Sequence, residues 1–202
     1  MMTITYQGRN SLYINLTNKC PCACVFCLRQ HKDHVFDCDS LWLDREPTVK
    51  EICDSIDTWD LEAFEEIVFC GYGEPTERLD DLLQVAAYIK SKSNIKTRIN
   101  TNGLSDLIHG EKTAHKLKGL IDTVSISLNA TDKDEYFKIV RPKFGIVSYD
   151  AMLSFAKDCT AYVAQVVMTV VDVVTSKEEQ ERSRAIAQSI GATLRIRPYE
   201  EN

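Results

Sequence analysis

The sequence predicts an α/β fold: an open, partial (β/α)6 TIM-like barrel with parallel strands, built as one domain over residues 1–202. Three observations carry this. Six short runs rich in Val, Ile and Thr are almost continuously apolar, as strands covered on both faces are. Helical patterns fall between them, and strand–helix alternation implies a parallel sheet with right-handed crossovers. Eight full strand–helix units take about 250 residues, more than this chain holds.

The strands are expected at Leu12–Thr17, Ile67–Cys70, Lys96–Thr101, Thr123–Asn129, Ala161–Val171 and Leu194–Arg197. Between the first two, Thr48-Val49-Lys50-Glu51 reads as a capping box that opens a helix through Ile56. Leu79–Ser91 carries Leu82, Leu83, Val85, Ala86 and Ile89 on one side, and Thr113–Leu120 forms a short helix. Ser148–Cys159 carries Met152, Leu153 and Phe155. Lys177–Ile190 starts at a Thr175 or Ser176 cap, has Glu178, Glu179 and Glu181 in its first turns, and stops at Gly191. The connection from Leu28 to Pro47 is long for a strand-to-helix loop and is expected to act as a lid or substrate element. No repeat, low-complexity tract or linker divides the chain.

Composition narrows the function classes. Apolar residues make up 44% and charged residues 27%, ordinary for a globular protein. Lys and Arg number 24 against 30 Asp and Glu, a net charge of −6, which argues against a broad nucleic-acid-binding face. The N-terminus lacks a basic stretch followed by an apolar core, so no secretory signal is expected. The longest apolar stretch, Tyr162 to Val174, is too short to span a bilayer. Eight cysteines in such a chain point to thiols or metal rather than disulfides, and so to a reducing, cytoplasmic location.

The chemistry concentrates just after the strands, where parallel α/β folds gather their ligand sites. Cys20, Cys24 and Cys27 stand at C-x3-C-x2-C spacing after the first strand, with aromatic Phe26 before the last. Thiolates suit iron–sulfur clusters and zinc. Three of them can hold a cubane by three corners and leave one iron open to a ligand. Cys22 lies inside the same loop, so a closed four-thiolate site and a set of buried unligated thiols stand beside that reading. Gly71-Tyr72-Gly73-Glu74-Pro75 follows the second strand. Its glycines allow close backbone approach, and its carboxylate can accept from an ammonium group. It also reads as a plain glycine turn. Asn100-Thr101-Asn102-Gly103 follows the third strand, and Ser125, Ser127 and Asn129 share a face at the end of the fourth. Arg195 and Arg197 share a face at the end of the sixth.

The cysteine loop resembles that of the radical S-adenosylmethionine (radical SAM) superfamily, whose loop is C-x3-C-x-aromatic-C. The resemblance covers about residues 10–199. It implies a [4Fe–4S] cluster on Cys20, Cys24 and Cys27 that reductively cleaves S-adenosylmethionine to a 5′-deoxyadenosyl radical, which abstracts hydrogen from a substrate that the sequence does not identify. It implies that Gly71, Gly73 and Glu74 stand for the family's Gly-Gly-Glu motif, with Tyr72 at its second position, and bind the amino group of the cosubstrate. Asn102 would face cosubstrate or substrate. Ser127 and Asn129 would serve the ribose hydroxyls and the carboxylate, and Arg141 would pair with that carboxylate. Phe26 belongs to the same cofactor-binding set. A reductant such as flavodoxin or ferredoxin would supply the electron. Within the superfamily, Leu12–Cys20, Leu41–Thr48 and Gly73–Arg78 resemble proteins associated with TatD-type metal-dependent hydrolases, which makes such a hydrolase an expected partner.

Other readings stay open. A small-molecule enzyme resembling 7-carboxy-7-deazaguanine synthase would need a pterin. A glycyl-radical activase would act on a large partner. A zinc-stabilised binding module would use Cys20, Cys22, Cys24 and Cys27. Among the other thiols, Cys53 and Cys159 fit helix packing, Cys70 lies near the site by position, and Cys38 sits in the long loop. His31 and His34 lie close after the cysteines and suit substrate binding or proton transfer, whereas His109 and His115 read as surface groups.

Overall fold

A computed structural model describes residues 2–30, 38–172 and 176–198. The expectations placed on His31, His34 and Thr175 lie outside the described residues. Seven strands form one sheet in sequential order: β1 (Thr5–Gly8), β2 (Ser11–Ile14), β3 (Glu66–Phe69), β4 (Lys96–Thr101), β5 (Thr123–Ser127), β6 (Gln165–Val171) and β7 (Thr193–Arg197). Six of them, β2 to β7, are parallel neighbours. The first and last strands do not pair, so the barrel is partial and open.

β1 corrects the all-parallel expectation, because it adds an antiparallel hairpin edge on β2. Its turn uses Arg9 at φ 52, left-handed backbone that a residue other than glycine rarely adopts. The sheet is flanked by α1 (Val49–Ile56), α2 (Leu79–Lys92), α3 (Ser105–His109), α4 (Lys133–Val140), α5 (Ser148–Cys159) and α6 (Lys177–Ser189). A capping box at Thr48 opens α1 as the sequence indicates, and Ser176, one of the two caps expected, opens α6 in a capping box with Glu179. The expected helix at Thr113–Leu120 is a single 3-10 turn, Ala114–Leu117. The fifth predicted strand begins four residues later than expected, at Gln165, because α5 first runs into a turn at Thr160–Tyr162.

One core forms on the helix side of the sheet. Leu12, Ile14, Ile67, Phe69, Ile99, Val124, Ile126 and Met168 cluster with Leu82, Val85, Ala86 and Ile89 of α2 and with Met152 and Phe155 of α5. Alternation along each strand turns the intervening residues to the opposite, inner face. That face carries Tyr13, Val68, Arg98, Asn100, Ser125, Ser127, Thr169, Arg195 and Arg197, so it is largely polar.

The described part of the long connection is tied down. Asn15 Nδ2 donates to the Leu41 carbonyl at 2.7 Å. Asn18 pairs with the Leu43 backbone both ways, at 2.7 and 3.1 Å. Leu41 and Leu43 are buried. The backbone of residues 38–47 thus extends the hydrogen bonding of the chain beyond β2 and is anchored there.

Candidate functional site

Cys20, Cys24 and Cys27 lie on one irregular turn just past the carboxyl end of β2, each half-buried. The turn closes on itself through Cys27 N to the Cys24 carbonyl at 3.1 Å. Cys22 N–H and C=O neighbours are held from the α4 side: Ala23 N donates to the Val140 carbonyl, Val25 N to the Ile139 carbonyl, and Cys22 forms a bridge with Pro142. Arg29, which the sequence reading passed over, stitches the other side. Its guanidinium donates to the carbonyls of Asn18 and Cys22, each at 3.3 Å. Its charge favours thiolate at Cys20, Cys24 and Cys27.

Cys22 is buried and faces Cys20 and Cys24. Contact with the other two sulfurs and burial hold Cys22 protonated, and its proton pulls the thiols of Cys20 and Cys24 below their ordinary value. Burial raises Cys27 instead. Among the described residues, no three Cys, His, Asp or Glu side chains converge closely enough to hold a metal ion as they stand. The donor chemistry nevertheless fits an iron–sulfur group. Three soft thiols share one turn, and a short side chain such as cysteine redirects its sulfur by rotation about one bond.

The Gly71–Pro75 turn packs directly under this loop. A Cβ on Gly73 would lie 2.1 Å from the Thr17 carbonyl oxygen and 2.7 Å from that of Lys19. A Cβ on Gly71 would lie 2.1 Å from Asn15 Oδ1. Glycine is therefore required at both for the segment leading to Cys20 to pass. Tyr72 is buried against Leu41 and meets Trp42 edge-on at 5.2 Å, which explains a large residue between the glycines.

Glu74 is 4% exposed. Its Oε1 accepts from Thr76 N at 3.1 Å, Thr76 Oγ1 at 2.7 Å and Thr101 Oγ1 at 2.7 Å, and its Oε2 accepts from Asn102 N at 2.7 Å. Burial raises this carboxyl above its ordinary value despite those four donors. Oε2, with a single partner, keeps acceptor capacity. Asn102 also donates from Nδ2 to Cys22 Sγ at 3.7 Å, so the turns after β3 and β4 meet the cysteine loop through one side chain.

Two buried polar atoms of the expected site region have no hydrogen-bond partner among the described residues: Tyr136 Oη of α4 and Asn129 Oδ1, after β5. Tyr136 of α4 is 1% exposed. Burial raises its phenol, and so do the charges of Cys22, Cys24, Glu74 and Cys20, which places it among those groups. Asn129 follows β5 at φ 62 and is 4% exposed. Buried polar groups without a partner are rare in folded chains, so Tyr136 among the thiols suits a bound group.

Ser127 is half-buried at the end of β5, and Phe26 is half-buried within the turn. Arg141 stands at the end of α4, next to the cysteine loop. It ends α4 at φ 49 with an exposed side chain, its Nε donating to the Lys138 carbonyl at 3.4 Å. Its backbone carbonyl, not its guanidinium, reaches the cysteine loop, at Ala23 N. Cys53 and Cys159 pack as expected, with Cys159 fully buried. Cys38 packs beside Tyr6, Leu41 and Tyr72.

A sequence model described as the Radical SAM superfamily matches residues 14–185. No curated protein matches the chain. Among solved structures, the chain is similar to a radical SAM methyltransferase from Sphaerobacter thermophilus, with TM-score 0.61 and 16% identity over 96% of this chain and 57% of that one. It is similar to Streptococcus suis SuiB bound to S-adenosylmethionine, with TM-score 0.64 and 17% identity over 95% and 38% of the two chains. It is similar to the FeFe-hydrogenase maturase HydG from Carboxydothermus hydrogenoformans, with TM-score 0.65 and 16% identity over 94% and 44%. At these identities the likeness is one of fold. The chain spans 38 to 57% of the length of these three proteins. No helix among the described residues is long and apolar enough to cross a membrane.

Proposed function

Because this chain belongs to the radical SAM superfamily, whose members use a [4Fe–4S] cluster and S-adenosylmethionine, we propose that it is a radical SAM enzyme with its cluster on Cys20, Cys24 and Cys27. The observation that carries this is the single turn that gathers these three thiols at the carboxyl end of β2, with Arg29 favouring their charged forms. When bound, cluster and cosubstrate supply reductive cleavage of a sulfonium and hydrogen abstraction from a substrate.

The chain's own residues orient and protect that chemistry. Tyr136 Oη is a donor held in a dry place beside the thiols. Glu74 fixes the turns after β3 and β4 and offers its remaining acceptor site on Oε2 to an ammonium group. Gly71 and Gly73 let the cysteine loop close over that turn. Asn129 Oδ1 and Ser127 are assigned to the hydroxyls and polar end of the cosubstrate, with Asn102 beside them. Phe26 shields the turn. The exposed guanidinium of Arg141 leaves the cosubstrate carboxylate to Ser127 and Asn129.

The electron comes from a reductant such as flavodoxin or ferredoxin, which members of this family generally need. A cytoplasmic location and association with a TatD-type hydrolase complete the proposal. The three segments that carry that finer resemblance pack on one another through Asn15, Asn18, Gly73 and Arg78. Copurification with a metal-dependent hydrolase tests the association.

Anaerobic reconstitution should load iron with near-equal acid-labile sulfide. A strong reductant with S-adenosylmethionine should then yield 5′-deoxyadenosine, and Cys24→Ala should abolish it. A fully loaded cluster that yields none would sink the assignment. A second reading, a closed four-thiolate zinc site, draws on the contact of Cys22 with Cys20 and Cys24. Zinc without sulfide in the purified chain would select it.

A further inference from the structure

The inner face of the sheet holds a group of charges that the cluster site does not use. Arg98 of β4 is satisfied: Nε and Nη2 donate to the Glu66 carboxylate at 3.0 and 2.6 Å, and Nη1 donates to Asn100 Oδ1 at 2.6 Å. Arg195 and Arg197 of β7 are not. Arg195 Nη2 donates to Ser125 Oγ at 3.1 Å. Among the described residues, neither arginine takes part in a salt bridge, since the one carboxylate of the group is committed to Arg98.

The three guanidiniums lie within electrostatic reach of one another, with Arg195 and Arg197 both exposed. β3 and β7 are four strands apart in the sheet, yet Cys70, next after β3, feels the charges of Arg197 and Arg98. Burial, then the repulsion of Arg98 and Arg197, pulls Arg195 below its ordinary value, with Glu66 only partly offsetting it. Among the described residues, the three guanidiniums outnumber the one carboxylate, Glu66, that pairs with any of them, in a chain whose net charge is −6. Unpaired guanidiniums held together against mutual repulsion invite an anion. Their planar fork matches carboxylate and phosphate oxygens in pairs.

We propose that the inner face of the sheet binds an oxyanion of the substrate, a carboxylate or a phosphate, between Arg195 and Arg197, beside Ser125 and Asn100. Arg195 and Ser125 each stand two residues before the end of their strands, β7 and β5. By register Arg195 is level with Ser127 through Thr169, but its guanidinium reaches one layer further down the face, to Ser125 Oγ, and that reach away from the strand ends assigns this anion to the substrate rather than to the cosubstrate. This substrate class rests on the enzyme reading above; the anion site itself does not.

The test titrates inorganic phosphate, and separately S-adenosylmethionine, into the cluster-reconstituted full chain by calorimetry. Arg195→Gln/Arg197→Gln should weaken phosphate about ten-fold or more, the loss of at least one charge-assisted hydrogen bond, and leave cosubstrate affinity within about two-fold. Arg182→Gln/Arg184→Gln, an equal charge change on the outer helix α6, should alter neither. Should the double variant fail to fold, Arg197→Gln alone, exposed at the end of β7, gives the same readout. Phosphate binding that is absent in the parent, survives in Arg195→Gln/Arg197→Gln, or falls equally in Arg182→Gln/Arg184→Gln overturns the site. Cosubstrate affinity that falls together with phosphate overturns its assignment to substrate. A parent chain that binds phosphate at this pair but never cleaves S-adenosylmethionine keeps the anion site and removes the enzyme reading.

Discussion

Tyr136→Phe should act with opposite sign on the cluster-free and the loaded protein. The phenol is 1% exposed and Oη has no partner among the described residues. A buried hydroxyl without a hydrogen bond costs about 1–3 kcal/mol of desolvation. Phenylalanine fills the same space minus one oxygen and keeps the edge-on contact with Tyr149, whose ring centroid lies 5.5 Å away. Removing the oxygen should therefore stabilise the cluster-free chain by about 1 kcal/mol, which for a domain of this size raises Tm by about 2–4 °C. In the loaded protein the phenol has a use, because it sits among Cys20, Cys22, Cys24 and Glu74. Hydrogen bonds to cluster sulfur raise the reduction potential, so the variant should titrate about 20–60 mV more negative, roughly 0.5–1.4 kcal/mol for one electron. Thermal unfolding with and without cluster, and a redox titration followed by electron paramagnetic resonance, read both effects. Loss of about 1 kcal/mol or more in the cluster-free chain would show that the hydroxyl was already satisfied within the protein, and the reasoning would fail. An unmoved potential would remove Tyr136 from the cluster environment.

Gly73→Ala should lower both stability and iron content, because its Cβ meets the backbone oxygen of Thr17 at 2.1 Å and backbone cannot yield cheaply. Overpacking of this kind costs about 1–3 kcal/mol, and here it displaces the segment entering Cys20. Gly119→Ala is the control: it meets nothing within 4 Å but strains a φ of 75, so stability should fall while iron per chain stays full. Iron analysis and urea unfolding distinguish the two. Asp122→Asn should show a pH signature. Burial raises this carboxyl, but Lys90 Nζ at 2.6 Å and Thr97 N at 2.8 Å outweigh it and hold it below the usual range. A depressed acid stabilises the fold above its unfolded value and loses that contribution as pH falls through the folded one. The variant should thus be weaker by about 1 kcal/mol at neutral pH, a figure limited by solvent screening. That gap should close below about pH 4; a gap that persists in acid would assign the effect to shape.

The parallel sheet was legible because short Val-, Ile- and Thr-rich runs alternate with helical patterns, although half of each strand faces a largely polar interior; the capping box of α1 was legible because Thr48 and Glu51 stand three apart, and the start of α6 was legible only to within Thr175 or Ser176. The same signal stood at Asp132, which caps α4 by accepting from Glu135 N, and it escaped notice because Tyr136, Phe137 and Val140 make a thin apolar stripe. β1 was hidden by its composition: Thr5-Tyr6-Gln7-Gly8 alternates weakly and gains its stability from pairing with β2. The cysteine loop was legible from spacing alone. Arg29 and Tyr136 were not, because neither has a spacing rule. Arg29 matters through two backbone carbonyls, and Tyr136 through where α4 docks, which only tertiary packing defines. Arg141 is the converse case: a position in sequence beside the site does not say which way a residue in left-handed backbone aims its side chain.

The Gly71–Pro75 turn shows why a motif read as ligand-binding and the same motif read as packing are not rivals. The contacts of Glu74, Gly71 and Gly73 join the end of one strand to the next: β2 to β3 through the glycines, β3 to β4 through Glu74, Thr101 and Asn102. Four donors on one buried carboxylate fix both turns before any ligand arrives. Asn102 then carries that rigidity to Cys22, at the centre of the thiol loop. The proposed radical chemistry would need walls that do not move, and a buried carboxylate with four donors and two glycines packed against backbone is a direct way to build them. The residues most readily taken for ligand contacts are therefore first the frame that holds the three thiols at one end of the sheet.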